Sequence, residues 1–174
     1  MTGILRAAAA AIAFGLGGCG VVTTIPTNPN NYNIEPKALA HLRAPQSVAL
    51  KNGYPQEEKA TMKIEHNFLV VEQRKLTDTA IAMLGRALEK QGITVSEAAE
   101  KTLTLRASAR GYAMQLFRWT GQVLLEARLG DGTLISYPSE NLSGRGFEHA
   151  FDGAVLFALN DLLADDKFTA YLNR

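Results

Sequence analysis

Apolar and polar residues alternate most regularly between positions 117 and 129. Phe117, Trp119, Gly121, Val123, Leu125, Ala127 and Leu129 share one parity, and Arg118, Thr120, Gln122, Leu124, Glu126 and Arg128 the other. A period of two over that length predicts a β-strand with one face in a core and one toward water. Gly130-Asp131-Gly132 then predicts a hairpin turn served by Asp131. Its return arm runs from Thr133 toward Asn141, with Pro138 near a bulge or an exposed edge. Positions 102–109 alternate in the same way, with Leu103, Leu105, Ala107 and Ala109 apolar. Positions 61–71 also read as one strand: Met62, Ile64, His66, Phe68 and Val70 share a face, which places His66 inward. A short strand at 47–50, followed by Asn52-Gly53, opens the folded part.

The period changes at Leu76. Thr77 or Asp78 can cap a helix whose Ile81, Leu84 and Leu88 form a stripe beside Ala80 and Ala87, and Gly92 supplies a left-handed exit. Between 147 and 164, Phe147, Phe151, Ala154, Ala158 and Leu162 fall on one helical face. Val155, Leu156, Phe157, Leu159 and Leu163 widen it beyond one stripe, which predicts a helix lying deep and covered on a second side. Asp165 and Asp166 cap a last short helix through Leu172. The fold expected is α+β, a two-layer sandwich in which an antiparallel sheet of about four or five strands carries two main helices on one face. It forms a single domain over 46–174.

Residues 1–18 follow a different plan: one positive charge at Arg6, an apolar run over 7–16, and small residues at Gly17 and Gly18 before Cys19. This is the layout of a secretory signal, and the run falls short of the roughly 20 residues that a membrane-spanning helix needs. Leu16-Gly17-Gly18-Cys19 is similar to the lipobox of bacterial lipoproteins. That resemblance implies cleavage between Gly18 and Cys19, a thioether-linked diacylglycerol on Cys19 and an N-acyl chain on its freed amine. Each buried methylene stabilises such an anchor by about 0.8 kcal/mol, so two or more chains hold durably. Gly20, where lipoproteins retained in the inner membrane often have aspartate, points to the outer membrane with the domain facing the periplasm. Residues 19–45 hold the lipidated cysteine and a stretch rich in Pro and Asn (Pro26, Asn28, Pro29, Asn30, Asn31, Asn33, Pro36) that reads as a tether. As a flexible coil it would span about 30 Å. The alternative is that 34–42 forms a short helix packed on the body.

Composition narrows the possible partners. Of 174 residues, 174 − 18 = 156 remain after signal removal, enough for one independent core. Losing Arg6 takes Lys+Arg from 18 to 17 against 17 Asp+Glu, so the mature chain is formally neutral. A neutral body lacks the basic face that nucleic-acid binding needs, and its weak self-repulsion permits association between copies. Cys19 is the sole cysteine, so no internal disulfide or thiolate cluster can form.

The lipobox, the Pro/Asn stretch, the strand, a helix ending near Glu89-Lys90-Gln91-Gly92, the long hairpin and the C-terminal helix together resemble the YajG-like family of small bacterial lipoproteins. Leu159-Asn160-Asp161-Leu162-Leu163-Ala164-Asp165-Asp166 is the closest local likeness. The resemblance implies an envelope lipoprotein and brings no catalytic or binding residues to carry over.

The sequence offers little chemistry of its own. It contains no Gly-x-Ser-x-Gly elbow, His-Glu-x-x-His pair or Gly-x-x-x-x-Gly-Lys loop. Of the histidines His41, His66 and His149, the last stands three before Asp152 and next to Glu148. Such a pair can serve a metal, but a surface polar patch is the reading adopted: no metal site is expected, and no cofactor beyond the lipid on Cys19. Ser143-Gly144-Arg145-Gly146 before a helix is a candidate anion nest, although a strand-to-helix turn explains the same residues. Trp119 is assigned to core packing. The sheet face away from the helices carries Leu116, Leu124 and Leu134 among Arg118, Gln122, Glu126 and Arg128, a mixed surface suited to an envelope protein or a second copy. The expectation is therefore a lipid-anchored, non-enzymatic accessory or scaffold protein. The alternative is a lipoprotein that holds a lipid or glycan between helices and sheet, suggested by the apolar C-terminal helix.

Overall fold

The strand of clearest alternation sits inside the main sheet. In the computed structural model, which describes residues 21–44 and 46–174, it is β7 (Arg118–Leu129), paired antiparallel with β6 (Thr102–Gln115) and β8 (Leu134–Ser143). Beyond β6 lie β2 (Gln46–Asn52) and the short β5 (Ile93–Val95), giving the order β5-β2-β6-β7-β8. A second sheet of three strands has the order β1-β4-β3, with β1 spanning Val22–Ile25, β3 Lys59–Ile64 and β4 Asn67–Glu72. The helices are α1 (Gln73–Lys90), α2 (Phe147–Ala164) and α3 (Asp166–Asn173).

The α+β class holds, with the two long helices packed against one face of the five-stranded sheet. Two features differ from the expected all-antiparallel sheet. β2 runs parallel to both β5 and β6, because α1 carries the chain back over the sheet before β5 begins, and a crossover of that length returns strands in the same sense. The alternation at 61–71 belongs to a hairpin, β3–β4, that turns at Glu65-His66 with Glu65 at φ 50°. A two-residue turn pairs Ile64 with Asn67 and so reverses the parity: Leu69 and Val71, rather than Phe68 and Val70, join the core cluster. His66 consequently stands in an exposed turn instead of on an inward face.

Residues 21–44 are no free tether. β1 pairs parallel with β4, and short 3₁₀ turns at Pro29–Asn31 and Pro36–Leu39 follow it. Ile25, Ile34, Leu39 and Leu42 are buried in the same cluster as the helices and strands. Four apolar side chains at spacings that fit neither a helix nor a strand dock the segment against α1 and α2. They supply the second cover that the wide apolar surface of α2 requires.

The core lies between helices and sheet. Leu103, Leu105 and Ala107 of β6 and Leu125 and Ala127 of β7 are fully buried against Leu84 and Leu88 of α1 and Phe151, Leu159 and Leu162 of α2. Each of these leucine and phenylalanine side chains stabilises the fold by roughly 1.5–3 kcal/mol. Thr77, expected as a cap, lies inside α1: its hydroxyl donates to the Gln73 carbonyl, and its oxygen accepts from the Ala107 amide at 2.9 Å, pinning the helix to β6. Gly92 does leave α1 with φ 82°.

The cap of α3 is as expected. Asp165 Oδ1 accepts from the Lys167 and Phe168 amides at 2.7 and 3.3 Å, and Oδ2 accepts from the Tyr137 hydroxyl at 2.6 Å. Burial raises this carboxyl, but those hydrogen bonds outweigh it and hold the group below the usual aspartate range. Asp165→Ala should cost about 1–2 kcal/mol, from the cap and from the orphaned Tyr137 hydroxyl. Urea unfolding at neutral pH measures it, and an unchanged midpoint would remove the cap from this account.

Candidate functional site

The face of the five-stranded sheet turned away from the helices is built from the even positions of β7. Gln122, Leu124 and Glu126 occupy it as expected, opposite Gly111, Ser108 and Arg106 of β6 and Glu140, Pro138 and Ser136 of β8. An open recess of about 500 Å³ is lined by Arg110, Gln122, Leu124, Pro138 and Glu140 among others. Gln122 Nε2 donates to Glu140 Oε2 at 3.3 Å across it. A smaller recess of about 240 Å³ follows toward Arg106, Glu126, Arg128 and Leu134. Its wall is the segment after β2. Tyr54 is buried there, its hydroxyl bonded to Ser108 Oγ at 2.6 Å and Gln73 Oε1 at 2.9 Å, with the Arg106 guanidinium 4.4 Å above the ring. Arg110 and Arg128 form no salt bridge among the described residues.

This surface mixes partly exposed aliphatic groups with unpaired cations and a bonded amide–carboxylate pair. The structure corrects one of its expected members. Leu116 lies off the face, at the tip of the β6–β7 hairpin, because β6 continues through Gln115 and the chain turns on Leu116 and Phe117. Phe117, expected on the inward side, shares that exposed tip. Arg118 remains at the tip end of the open face, opposite Gln115. Trp119 is half-buried and packs edge-on against Phe147, as does Tyr112.

Ser143, Gly144, Arg145 and Gly146 join β8 to α2. Ser143 is buried, and its Oγ accepts from the Arg145 amide at 3.0 Å, so the hydroxyl serves the turn. Gly146 takes φ 108° as the residue before α2 and offers no side-chain cap. Arg145 points away exposed.

The pair expected in a surface polar patch, His149 and Asp152, is drawn inward instead. Asp152 is fully buried on α2. Its Oδ2 accepts from the Asn28 amide at 3.0 Å and from Asn31 Nδ2 at 2.8 Å, and Asn31 also donates to Glu148 Oε1 at 2.8 Å. Asp152 Oδ1 and His149 Nδ1 are buried without a hydrogen-bond partner. Burial is the main cause that pushes the Asp152 carboxyl up to about 6, against the two asparagine hydrogen bonds that lower it. Tyr32 and Asn141 both donate to the His149 carbonyl, at 3.1 and 3.0 Å. The Asn-rich stretch is thus the counterpart of a buried acid. The signal available in the sequence was an aspartate set between Phe151 and the apolar run 153–159, together with an asparagine cluster. Among the described residues no three His, Cys, Asp or Glu side chains converge as a metal site.

Gly18 and Cys19, the expected cleavage and lipidation positions, lie outside the described residues, as does the whole of 1–18. Among the described residues no helix is long and apolar enough to cross a membrane.

No protein-family model matches the chain, so membership of the YajG-like family is not shown. No curated protein matches it either. Among solved structures, the chain is similar to the lipoprotein GNA1162 of Neisseria meningitidis, at 14% identity over 69% of this chain and 99% of that one, with a TM-score of 0.37. A likeness of that size carries no inference about function.

Proposed function

We propose that this chain is a lipid-anchored, non-enzymatic accessory protein of the bacterial cell envelope. Cys19 carries the lipid at the outer membrane, the domain faces the periplasm, and the open sheet face docks an envelope protein or a second copy. The YajG-like lipoproteins are the family this reading favours. The anchor rests on Leu16-Gly17-Gly18-Cys19. The observation that carries the docking role is the open face itself: partly exposed Leu124, exposed Leu134 and Pro138, and cations Arg110 and Arg128 that no carboxylate of the described residues neutralises. Such a patch gains free energy when another surface excludes water from its aliphatic groups and supplies acids for its arginines. Ala158, Leu159, Leu162 and Leu163 of α2 are completely buried in the core, which favours the docking reading over a lipid or glycan held between helices and sheet.

Photocrosslinking in cells tests the reading. A crosslinking residue at Gln122 or Glu126 should yield a discrete adduct, either with another protein or with a second copy, while one at Asp161 on the exposed side of α2 should not. Equal patterns from all three positions would overturn the docking role. Cys19→Ser should separately release the protein from the membrane fraction and abolish its acyl labelling.

A further inference from the structure

The apolar groups left uncovered by the fold are gathered at one end. Eight large hydrophobic side chains are largely exposed among the described residues, and six of them, Val21, Val22, Met114, Leu116, Phe117 and Leu142, lie there. At its apex Leu116 and Phe117 are 93% and 86% exposed.

The pairings show that these residues share an end. Arg106 approaches Glu58 at 3.9 Å, and further along both strands the Tyr112 hydroxyl donates to the Lys63 carbonyl, so β3 advances beside β6 toward the hairpin tip. β3 turns at Glu65-His66 into β4, and Phe68 of β4 pairs with both Lys63 and Val22. The first residues of β1 therefore stand level with Tyr112, across β4 and β3 from it, and Leu116 follows four residues later, roughly 13 Å along the strand. Leu142 of β8 lies opposite Thr120 at the same end. Cys19 precedes Val21 by two residues, which is about 7 Å of chain at full extension.

The turn itself points the same way. Leu116 and Phe117 both have positive φ, 42° and 65°, the geometry of a tight hairpin turn that asparagine and glycine adopt readily and bulky residues do not. The sequence keeps two large apolar residues at strained, solvent-facing positions, and strain of this kind is retained where another function needs the side chains. Below the tip, Tyr112, Trp119 and Phe147 stack edge to face, and Lys63, Arg118 and Arg145 are exposed around it, with Glu65 as an opposing charge. An apolar apex with cationic and aromatic side chains close behind it matches the acyl core of a bilayer and the phosphate-bearing interface next to it.

We infer that the Leu116-Phe117 hairpin tip inserts into the same leaflet that holds the lipid on Cys19, giving the domain a second membrane contact. The inference rests on the lipid anchor proposed above. With it, the strands stand along the membrane normal, and the open sheet face looks sideways along the membrane surface.

Trp119 is the only tryptophan and lies near the tip, so it reports directly. Mature lipidated protein is reconstituted into vesicles of phosphatidylethanolamine and phosphatidylglycerol with or without acyl-brominated lipid, and both flotation and fluorescence are recorded. Bromolipid should quench Trp119, and should quench Phe117→Trp/Trp119→Phe more strongly with a blue-shifted emission. Leu116→Asn/Phe117→Gly should float as well as wild type, melt at a higher temperature because its turn is unstrained, and lose the quenching. Flotation without quenching of the first two proteins overturns the insertion and leaves the anchor standing. Loss of flotation overturns the anchor and this inference with it. A protein crosslink from position 117 in cells, with no quenching, would assign the tip to a protein partner and equally overturn it.

Discussion

Gly121→Val should cost about 3 kcal/mol or more and be the most damaging single exchange on β7. A Cβ at this position would stand 2.8 Å from the Ala150 carbonyl carbon and the Phe151 amide nitrogen, and 3.0 Å from Phe151 Cα. These are backbone atoms of α2, so no side-chain rotation relieves the clash; the helix must move off the sheet. Moving it disturbs Phe151 and Ala154, both completely buried, and with them the layer that closes the core. Gly121→Ala should already lose part of this, because its one added carbon is the one that clashes. Gly144→Ala is the control: it has no atom within 4 Å of its Cβ and no positive φ, and should stay within about 1 kcal/mol of wild type. Urea unfolding of the three variants measures the series. If Gly121→Val and Gly144→Ala had equal midpoints, the close approach of α2 to β7 would be wrong.

Gly121 also shows where the sequence is legible and where it is not. Its place in the alternation of β7 was readable, as were α2, the cap at Asp165 and the Gly130-Asp131-Gly132 turn, because each depends on residues within a few positions of one another. What could not be read depends on partners far along the chain. The two hairpin turns at Glu65-His66 and Leu116-Phe117 contain no glycine, asparagine or proline, so nothing marked them, and the first silently reversed the parity of the strand after it. The docking of residues 21–44 was hidden for a related reason. Ile25, Ile34, Leu39 and Leu42 follow no period, while the asparagines between them suggested solvent although Asn31 in fact satisfies an acid more than a hundred positions away. The open face was largely readable at Gln122, Leu124 and Glu126, since parity alone assigns it. Its Arg106–Tyr54 wall was not.

Docking the Asn-rich stretch changes how the anchor proposed at Cys19 and the body relate. A coil of about 30 Å would let the domain wander above the headgroups, whereas a segment paired from Val22 onward brings the body close to Cys19. Whatever loosens that segment therefore lengthens the tether. Among the contacts that fasten its middle to α2, beside Asn31 with Glu148 and Tyr32 with the His149 carbonyl, the one that titrates with a raised pKa is the Asp152 carboxyl, with the Asn28 amide and the Asn31 side chain as its donors.

Asp152→Asn should accordingly alter the pH dependence of stability more than any other neutralisation of an acid in the chain. The folded-state carboxyl titrates at about 6 against an ordinary value of 3.8. The native state therefore binds the proton more tightly than the unfolded chain does, and stability falls as pH rises through this window. A shift of that size corresponds to a penalty of about 3 kcal/mol, absent below about pH 3 and complete above about pH 7. Asparagine keeps an oxygen to accept from Asn28 and Asn31 and carries no charge to desolvate. The difference in unfolding free energy between variant and wild type should thus shift in favour of the variant by about 3 kcal/mol between about pH 3 and about pH 8, other titrating groups cancelling in the comparison. Asp152→Ala behaves differently: at every pH it takes the acceptor from the part-buried Asn28 amide and leaves Asn31 with Glu148 alone, at about 1–3 kcal/mol, and should loosen residues 21–44. Hydrogen exchange at Asn28 and proteolysis within 26–36 read that loosening. A variant-to-wild-type difference that stayed constant with pH would show that the carboxylate is not desolvated by the docked segment, and the fastening of the tether would have to be sought elsewhere.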